Sequence, residues 1–155
     1  HQQERDAVLQ LRAHRLRDFD AVAEMWALED VYRYIGGKPS TREESWSRMV
    51  RLPGLWALLG YGYWVVEEKA TGGFVGEVGF ADFKRDLTPS IEGEPEHGWV
   101  LAPHAQGKGY ATEAVSASLR WLMDCTPWRR TACIIAPENT ASVRVAEKAG
   151  YREVA

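Results

Sequence analysis

The stretch Trp99-Val100-Leu101-Ala102-Pro103-His104-Ala105-Gln106-Gly107-Lys108-Gly109-Tyr110-Ala111-Thr112-Glu113-Ala114 constrains this chain more than any other. An apolar strand-like run ends before Pro103. From Gly107 to Asp124 a glycine turn then leads into a helix, where Ala111, Ala114, Val115, Leu119 and Leu122 repeat at helical spacing. The first amides of such a helix have no partners inside it and carry partial positive charge. Glycines permit positive φ and let a ligand approach the backbone closely. Together these make an anion site, most naturally for phosphate. A Walker loop needs Ser or Thr after Gly107-Lys108, where Gly109 stands. A dinucleotide fingerprint needs a third glycine, where Thr112 stands. Both nucleotide readings are weak, and a turn that binds nothing is the plain alternative.

The rest of the chain alternates strand and helix patterns. Val8 to Arg12 alternates as an opening strand. Asp18 can cap a helix carrying Phe19, Val22, Ala23, Trp26 and Ala27. A Gly-Gly-Lys-Pro loop spans Tyr32 to Pro39, and Thr41-Arg42-Glu43-Glu44 fits a capping box for a second helix with Trp46, Met49 and Val50. Tyr63 to Glu67 and Phe74 to Phe80 form a strand pair around the Thr71-Gly72-Gly73 turn, and Asp82 to Pro95 is a polar loop. Glu96 to Leu101 is a strand, Thr131 to Ala136 a buried strand, and Ala141 to Ala149 a short helix closed by Gly150. Tyr151 opens a last strand. The order β-α-α-β-β-β-α-β-α-β predicts an α/β fold of the α+β kind with a mixed sheet. The last strand has at most five residues before the chain stops, so C-terminal strands are expected to be missing.

At 155 residues the chain is expected to form a single domain over residues 1–155. Nineteen Lys+Arg against 22 Asp+Glu give a net charge of −3, which excludes a chain-wide footprint for nucleic acid. The apolar stretch Leu55 to Val66 is broken by Gly and Tyr and falls short of a bilayer span, so no membrane partner is expected. The start has no apolar signal region and no Met, which predicts trimming. Cys125 and Cys133 are too few for a disulfide framework and read as free thiols, with cytoplasmic residence as the default. His1, His14, His97 and His104 are scattered, and no metal is expected.

Gln106-x-x-Gly109-x-Ala111 resembles the pyrophosphate loop of the GNAT (Gcn5-related) N-acetyltransferases, Gln/Arg-x-x-Gly-x-Gly/Ala between a strand and a helix. A second block, Asn139-Thr140-Ala141-Ser142 followed by Glu147-Lys148-Ala149-Gly150-Tyr151, resembles the family's Asn-x-x-Ser…Glu-Lys-x-Gly-Phe/Tyr. The element order from Val8 to Tyr151 matches as well. The resemblance implies the GNAT fold: a central mixed, mostly antiparallel sheet flanked by helices. Gly107 to Ala114 and Ser142 are most similar to the subgroup of ribosomal-protein N-terminal alanine/serine acetyltransferases and their relatives.

The resemblance implies transfer of an acetyl group from acetyl-CoA directly to a primary amine, on a protein N-terminus or a small molecule. Gln106 and the amides of Gly107, Lys108, Gly109, Tyr110, Ala111 and Thr112 would hold the pyrophosphate. Trp99, Val100 and Leu101 would offer strand backbone to the pantetheine, one N–H polarising the thioester carbonyl. Asn139 would bond the pantetheine arm. The Lys108 side chain would add charge near the phosphates or simply face solvent. Many members carry a Tyr in the last helix for the leaving thiolate. Ala146 stands there, and Ser142 is the substitute, unless its hydroxyl only bonds a carbonyl one turn back. Some members carry a Glu on the strand before the Asn, and Ile134 stands there. Glu96 acting through a water is then the first candidate base, His97 the second, and no dedicated base the third. Alternate strand residues face opposite ways, so only one of Glu96 and His97 faces the cleft.

From Ala102 onward 7 Lys+Arg face 5 Asp+Glu, and the remainder has 12 and 17. A positive half suits CoA phosphates and a negative half a cationic amine. Tyr32, Tyr34, Trp26, Trp56 and Trp64 lie where the family admits its acceptor, or are core aromatics. The competing function is a non-catalytic acyl-CoA sensor of the same fold. Many relatives dimerise, so a homodimer is left open.

Overall fold

The computed structural model describes residues 7–154. Four antiparallel strands lie side by side in chain order: β1 (Leu9–Arg12), β2 (Tyr63–Glu68), β3 (Phe74–Ala81) and β4 (Glu96–Leu101). The register runs Leu9↔Glu68, Tyr63↔Gly79 and Gly79↔Gly98 at successive pairs, with an irregularity at Val66/Glu67. Five helices flank the sheet: α1 (Phe19–Trp26), α2 (Glu29–Tyr32), α3 (Arg42–Leu59), α4 (Tyr110–Cys125) and α5 (Thr140–Lys148). This is the mixed α/β architecture, an antiparallel sheet flanked by helices, that the GNAT resemblance implies.

Strand alternation sends side chains to two faces, and each face has its own helices. On one, Leu9, Val66, Val78 and Leu101 pack against Ala114 and Val115 of α4. On the other, Val100 and Ala102 meet Val22, Met25 and Trp26 of α1, Val31 of α2 and Met49 of α3. Helix α3 starts with the expected capping box: the Thr41 hydroxyl accepts from Glu44 N–H and the Glu44 carboxylate from Thr41 N–H. Gly150 has the expected positive φ of 100° after α5.

Three local expectations are corrected. Asp18 precedes α1 without a side-chain cap. Its carboxylate instead accepts two hydrogen bonds from Arg12, at 2.7 and 2.9 Å, and one from Arg15 N–H. Thr131 to Ala136 is no buried strand. It touches the sheet through one parallel bridge, Glu96↔Ala132, and Ile134 is 51% exposed. Tyr151 opens no strand within the described residues. Its hydroxyl bonds His97 Nδ1 at 2.8 Å and Thr131 Oγ1 at 2.7 Å, tying the chain after α5 to β4.

Candidate functional site

Around the glycine turn, the first turn of α4 has no backbone partners to offer itself. Gly107 and Gly109 both have positive φ, 79° and 76°, and a Cβ at either would meet open space. Gly109 is the N-cap residue of α4. Before the turn, Gln106 N–H bonds Pro103 O; after it, Glu113 N–H bonds Gly109 O. The six amides between, Gly107 to Thr112, donate to no backbone carbonyl among the described residues. A run of free amides at the positive end of a 16-residue helix is suited to a polyanion. The turn is braced from outside. The Tyr110 hydroxyl bonds the Glu68 carboxylate, and Glu113 accepts from Val8 and Leu9 N–H. Lys108 leans over the Tyr110 ring at 5.8 Å.

Before the turn the Gln106 side chain reaches the outer edge of β4, and a gap runs along that edge. His97 N–H donates to Ala132 O at 2.7 Å, whereas Ala102 N–H donates to Val75 O on β3 at 2.9 Å. Backbone direction alternates along a strand. His97, Trp99 and Leu101 therefore turn their peptide groups away from β3, and Gly98 and Val100 turn theirs toward it. Beyond the Ala132 bridge no strand pairs with that outer edge among the described residues. Only the Gln106 amide reaches it, donating to Leu101 O at 3.4 Å. The sequence treats Trp99, Val100 and Leu101 alike. The pairing makes Trp99 and Leu101 the residues that face the gap, while Val100 contributes its side chain to the opposite layer.

A cavity of about 500 Å³ lies along this gap. One wall is Gly98, Trp99 and Val100; the facing wall is Ile134, Ile135, Ala136, Asn139 and Ser142. Asn139 caps α5, its Oδ1 accepting from Ser142 N–H at 3.3 Å. Its amide nitrogen has no partner among the described residues, nor does the Ser142 hydroxyl, so the serine is not bonded one turn back. Gly98 allows Tyr63 to lie over the cavity floor: a Cβ there would come within 2.1 Å of the tyrosine oxygen. Burial, with Glu96 and Glu77 nearby, holds the Tyr63 phenol neutral, far above its usual range.

The candidate bases separate by face. Glu96 is buried and lines the cavity, and its two oxygens accept from Arg85 at 2.6 and 3.1 Å. His97 turns its ring to the α4 side, where it stacks on Phe80 at 4.2 Å and bonds Ser118 Oγ at 2.8 Å. Burial lowers its pKa to about 3. The neutral ring with its proton on Nε2, donating to Ser118 and accepting from Tyr151, satisfies both nitrogens. His97 is thereby held as a buried neutral brace between β4, α4 and the chain after α5, while part of the residue also lines the cavity.

The cavity also holds residues that no sequence motif marks. Glu77, 3% exposed, accepts from His14 Nε2 at 2.6 Å and from Trp26 Nε1 at 3.1 Å. A glutamate in the middle of the apolar run Phe74 to Phe80 was the available signal, because charged residues in buried strands are paired or functional. Arg48, Arg51 and Arg85 carry no local motif. Of the aromatics expected at the acceptor end, Trp26 and Tyr34 line the cavity. Trp56 and Trp64 instead pack edge-on with Trp121, centroids 5.0–5.2 Å apart, and Tyr32 does not line it. Among the described residues no cluster of three or more His, Cys, Asp or Glu is placed to hold a metal, and no helix is long and apolar enough to cross a membrane. Cys125 and Cys133 are unbridged, and burial pushes the Cys133 thiol up to about 11.

The chain is similar to the uncharacterized protein YkkB of Bacillus subtilis, with 38% identity over 95 residues, 59% of this chain and 52% of YkkB. The matched length is thus about half of that relative. In three dimensions it is similar to an acetyltransferase (GNAT family) of Bacillus anthracis, with TM-score 0.81, 29% identity, and coverage of 96% of this chain and 82% of that one. It shares the fold of the spermidine N-acetyltransferase of Vibrio cholerae, solved in complex with CoA and spermine, at TM-score 0.76 and 20% identity, covering 96% of this chain and 83% of that one. The family model described as an acetyltransferase (GNAT) domain matches residues 9–152, and the chain belongs to that family.

Proposed function

We propose that residues 1–155 act as one acetyltransferase domain that moves an acetyl group from acetyl-CoA directly to a primary amine, with no metal. The observation that carries this reading is the set of six unpartnered amides at the α4 N-terminus beside the unpaired outer edge of β4, together with a cavity along β4 that holds two buried carboxylates. The CoA held by the Vibrio cholerae enzyme of the same fold supports it. In this reading the pyrophosphate sits on Gly107 to Thr112, and the pantetheine lies between β4 and the 134–136 segment. Trp99 N–H polarises the thioester carbonyl as an oxyanion donor. Asn139 bonds the pantetheine arm.

The amine enters from the α1/α3 side and passes its proton to Glu96 directly or through a water. Each carboxylate oxygen keeps a second lone pair beside Arg85 for that bond. Attack of the amine nitrogen on the thioester carbon forms the C–N bond and breaks the C–S bond; the departing thiolate accepts a hydrogen bond from the Ser142 hydroxyl and takes a proton from water, to which Glu96 returns the proton it accepted. The products are an amide and CoA. The glycine loop and Ser142 favour the ribosomal-protein N-terminal acetyltransferase subgroup within the family, and cytoplasmic residence goes with this reading.

Calorimetric titration with acetyl-CoA, run on the protein and on Gly109→Trp, tests the cofactor site. Saturable binding that the variant loses is expected. A panel of amines with a free-thiol readout then tests turnover. Binding with no thiol release from any amine would replace catalysis by an acyl-CoA sensor. No binding at all would sink both.

A further inference from the structure

The charge lining the acceptor end of the cavity is of the opposite sense to the sequence expectation. Three arginines, Arg48, Arg51 and Arg85, stand against two glutamates, Glu77 and Glu96. Two of these five are already matched, since Arg85 embraces Glu96 with two hydrogen bonds. Glu77 accepts from His14 and Trp26 and bonds neither arginine. Arg48 is therefore left with an incomplete set of partners. Its Nη2 donates to Ser40 Oγ at 3.0 Å and its guanidinium lies over the Trp26 ring at 4.2 Å, which fixes its plane. Its Nη1 is buried and has no hydrogen-bond partner among the described residues. Burial also lowers the Arg48 pKa from its ordinary value.

A buried guanidinium nitrogen without an acceptor is costly, and native structures leave few such groups. Arg51 stands one turn along on α3 and reaches the same cavity. Two arginines at helical spacing that line one cavity, Arg48 held rigid over Trp26 and Arg51 exposed, are suited to the planar oxygens of a carboxylate. Between them and β4 the wall is apolar, with Leu52, Leu55, Phe83 and Ile134.

Resting on the acetyltransferase reading above, we infer that the acceptor is a small amine that also carries a carboxylate, an amino acid or an amino-acid-like compound. Its carboxylate is bound by Arg48 with Arg51, and its amine is turned toward Glu96 and the Trp99 peptide. Polycations such as polyamines and aminoglycosides would bring charge against Arg48 and Arg51 and are poor acceptors here.

The test uses matched pairs, L-amino acids and their carboxamides, with spermidine and kanamycin as polycation arms, at saturating acetyl-CoA and with free-thiol detection. The acid of the best pair is expected to exceed its amide in kcat/KM by about 10- to 100-fold, the scale of one lost charge-assisted pair in a closed site. Arg48→Gln collapses that ratio toward one, and Arg51→Gln, a change at an exposed guanidinium that spares the fold, reduces it. An amide or a polycation as the best acceptor, or a ratio unmoved in both variants, overturns the inference. A second measurement needs neither variant nor turnover: with CoA bound, the acids are expected to raise the melting temperature of the unmutated protein more than the amides do. Equal shifts for acids and amides count against the carboxylate site. Failure of the acetyltransferase reading itself is seen separately, as absence of acetyl-CoA binding by calorimetry.

Discussion

Glu96 and His97 are adjacent in the chain, and strand alternation gives them unrelated work. Glu96 faces the cavity with one charged partner, whereas His97 is enclosed by Phe80, Trp99, Ser118 and Tyr151. Glu96→Gln keeps the shape and removes the proton acceptor of the proposed reaction. It is expected to lower kcat by about 100-fold. Unchanged kcat in the variant would leave the amine without a dedicated base. His97 makes a different prediction. Its pKa is near 3 folded and about 6.5 unfolded. Between those values the unfolded chain binds a proton that the folded chain refuses, so stability rises with pH across that window and is lost as pH falls through it. One such group contributes a slope of up to about 1.4 kcal/mol per pH unit. Melting curves at pH 7.5, 6.0 and 5.0 should show His97→Gln less stable than the original at pH 7.5 and less sensitive to acid below pH 6.5. Parallel pH curves for the two proteins would mean that another group drives the acid loss.

At the scale of elements, local signals succeeded where a residue's conformation is set by its neighbours in sequence. The Thr41 and Glu44 box starts α3, Gly150 follows α5, and Gly109 heads α4. They failed where a partner is distant. Asp18 looks like a cap in sequence, and only the fold brings Arg12 to it. Thr131 to Ala136 has the apolar character of a strand, but hydropathy carries no information on how far away the neighbouring strand lies. Past Ala132 the two segments part, and the result is the cavity. The acceptor end was illegible for the same reason. Arg48, Glu77 and Arg85 come from α3, β3 and the loop before β4, and none sits in a motif. The legible element is the one whose failure is easiest to measure. Gly109→Val forces a β-branched residue into a left-handed conformation, at a cost of roughly 1–2 kcal/mol, or displaces the turn. Helix α4 is anchored by its buried stripe and survives, so circular dichroism is expected to be unchanged while acetyl-CoA affinity falls by at least about 10-fold, the equivalent of ~1.4 kcal/mol. Full affinity in Gly109→Val would remove the loop from the cofactor site.

Taken together, the described residues form a four-stranded sheet packed on both faces with one wall of its cleft weakly attached. The 131–136 segment joins the sheet through two backbone hydrogen bonds, His97 N–H to Ala132 O and Ala132 N–H to Pro95 O, and through the Thr131–Tyr151 contact. Local opening follows the density of buried contacts and hydrogen bonds. Amides of Cys133, Ile134 and Ile135 have no backbone acceptors among the described residues, whereas those of β2 and β3 lie inside the ladder. A pantetheine arm between β4 and this segment would supply bonds to both sides of the gap and fill its apolar wall. Hydrogen exchange is therefore expected to be fast over 133–136 in the free protein and slowed by acetyl-CoA there and over 107–113 together, with β2 and β3 protected in both states. The coupling follows from geometry, because a cofactor long enough to reach from the α4 N-terminus to Ser142 must touch both regions. Protection confined to 107–113 would mean that the phosphates bind while the arm lies elsewhere, and the place of Trp99 and Ser142 in the reaction would fall with it.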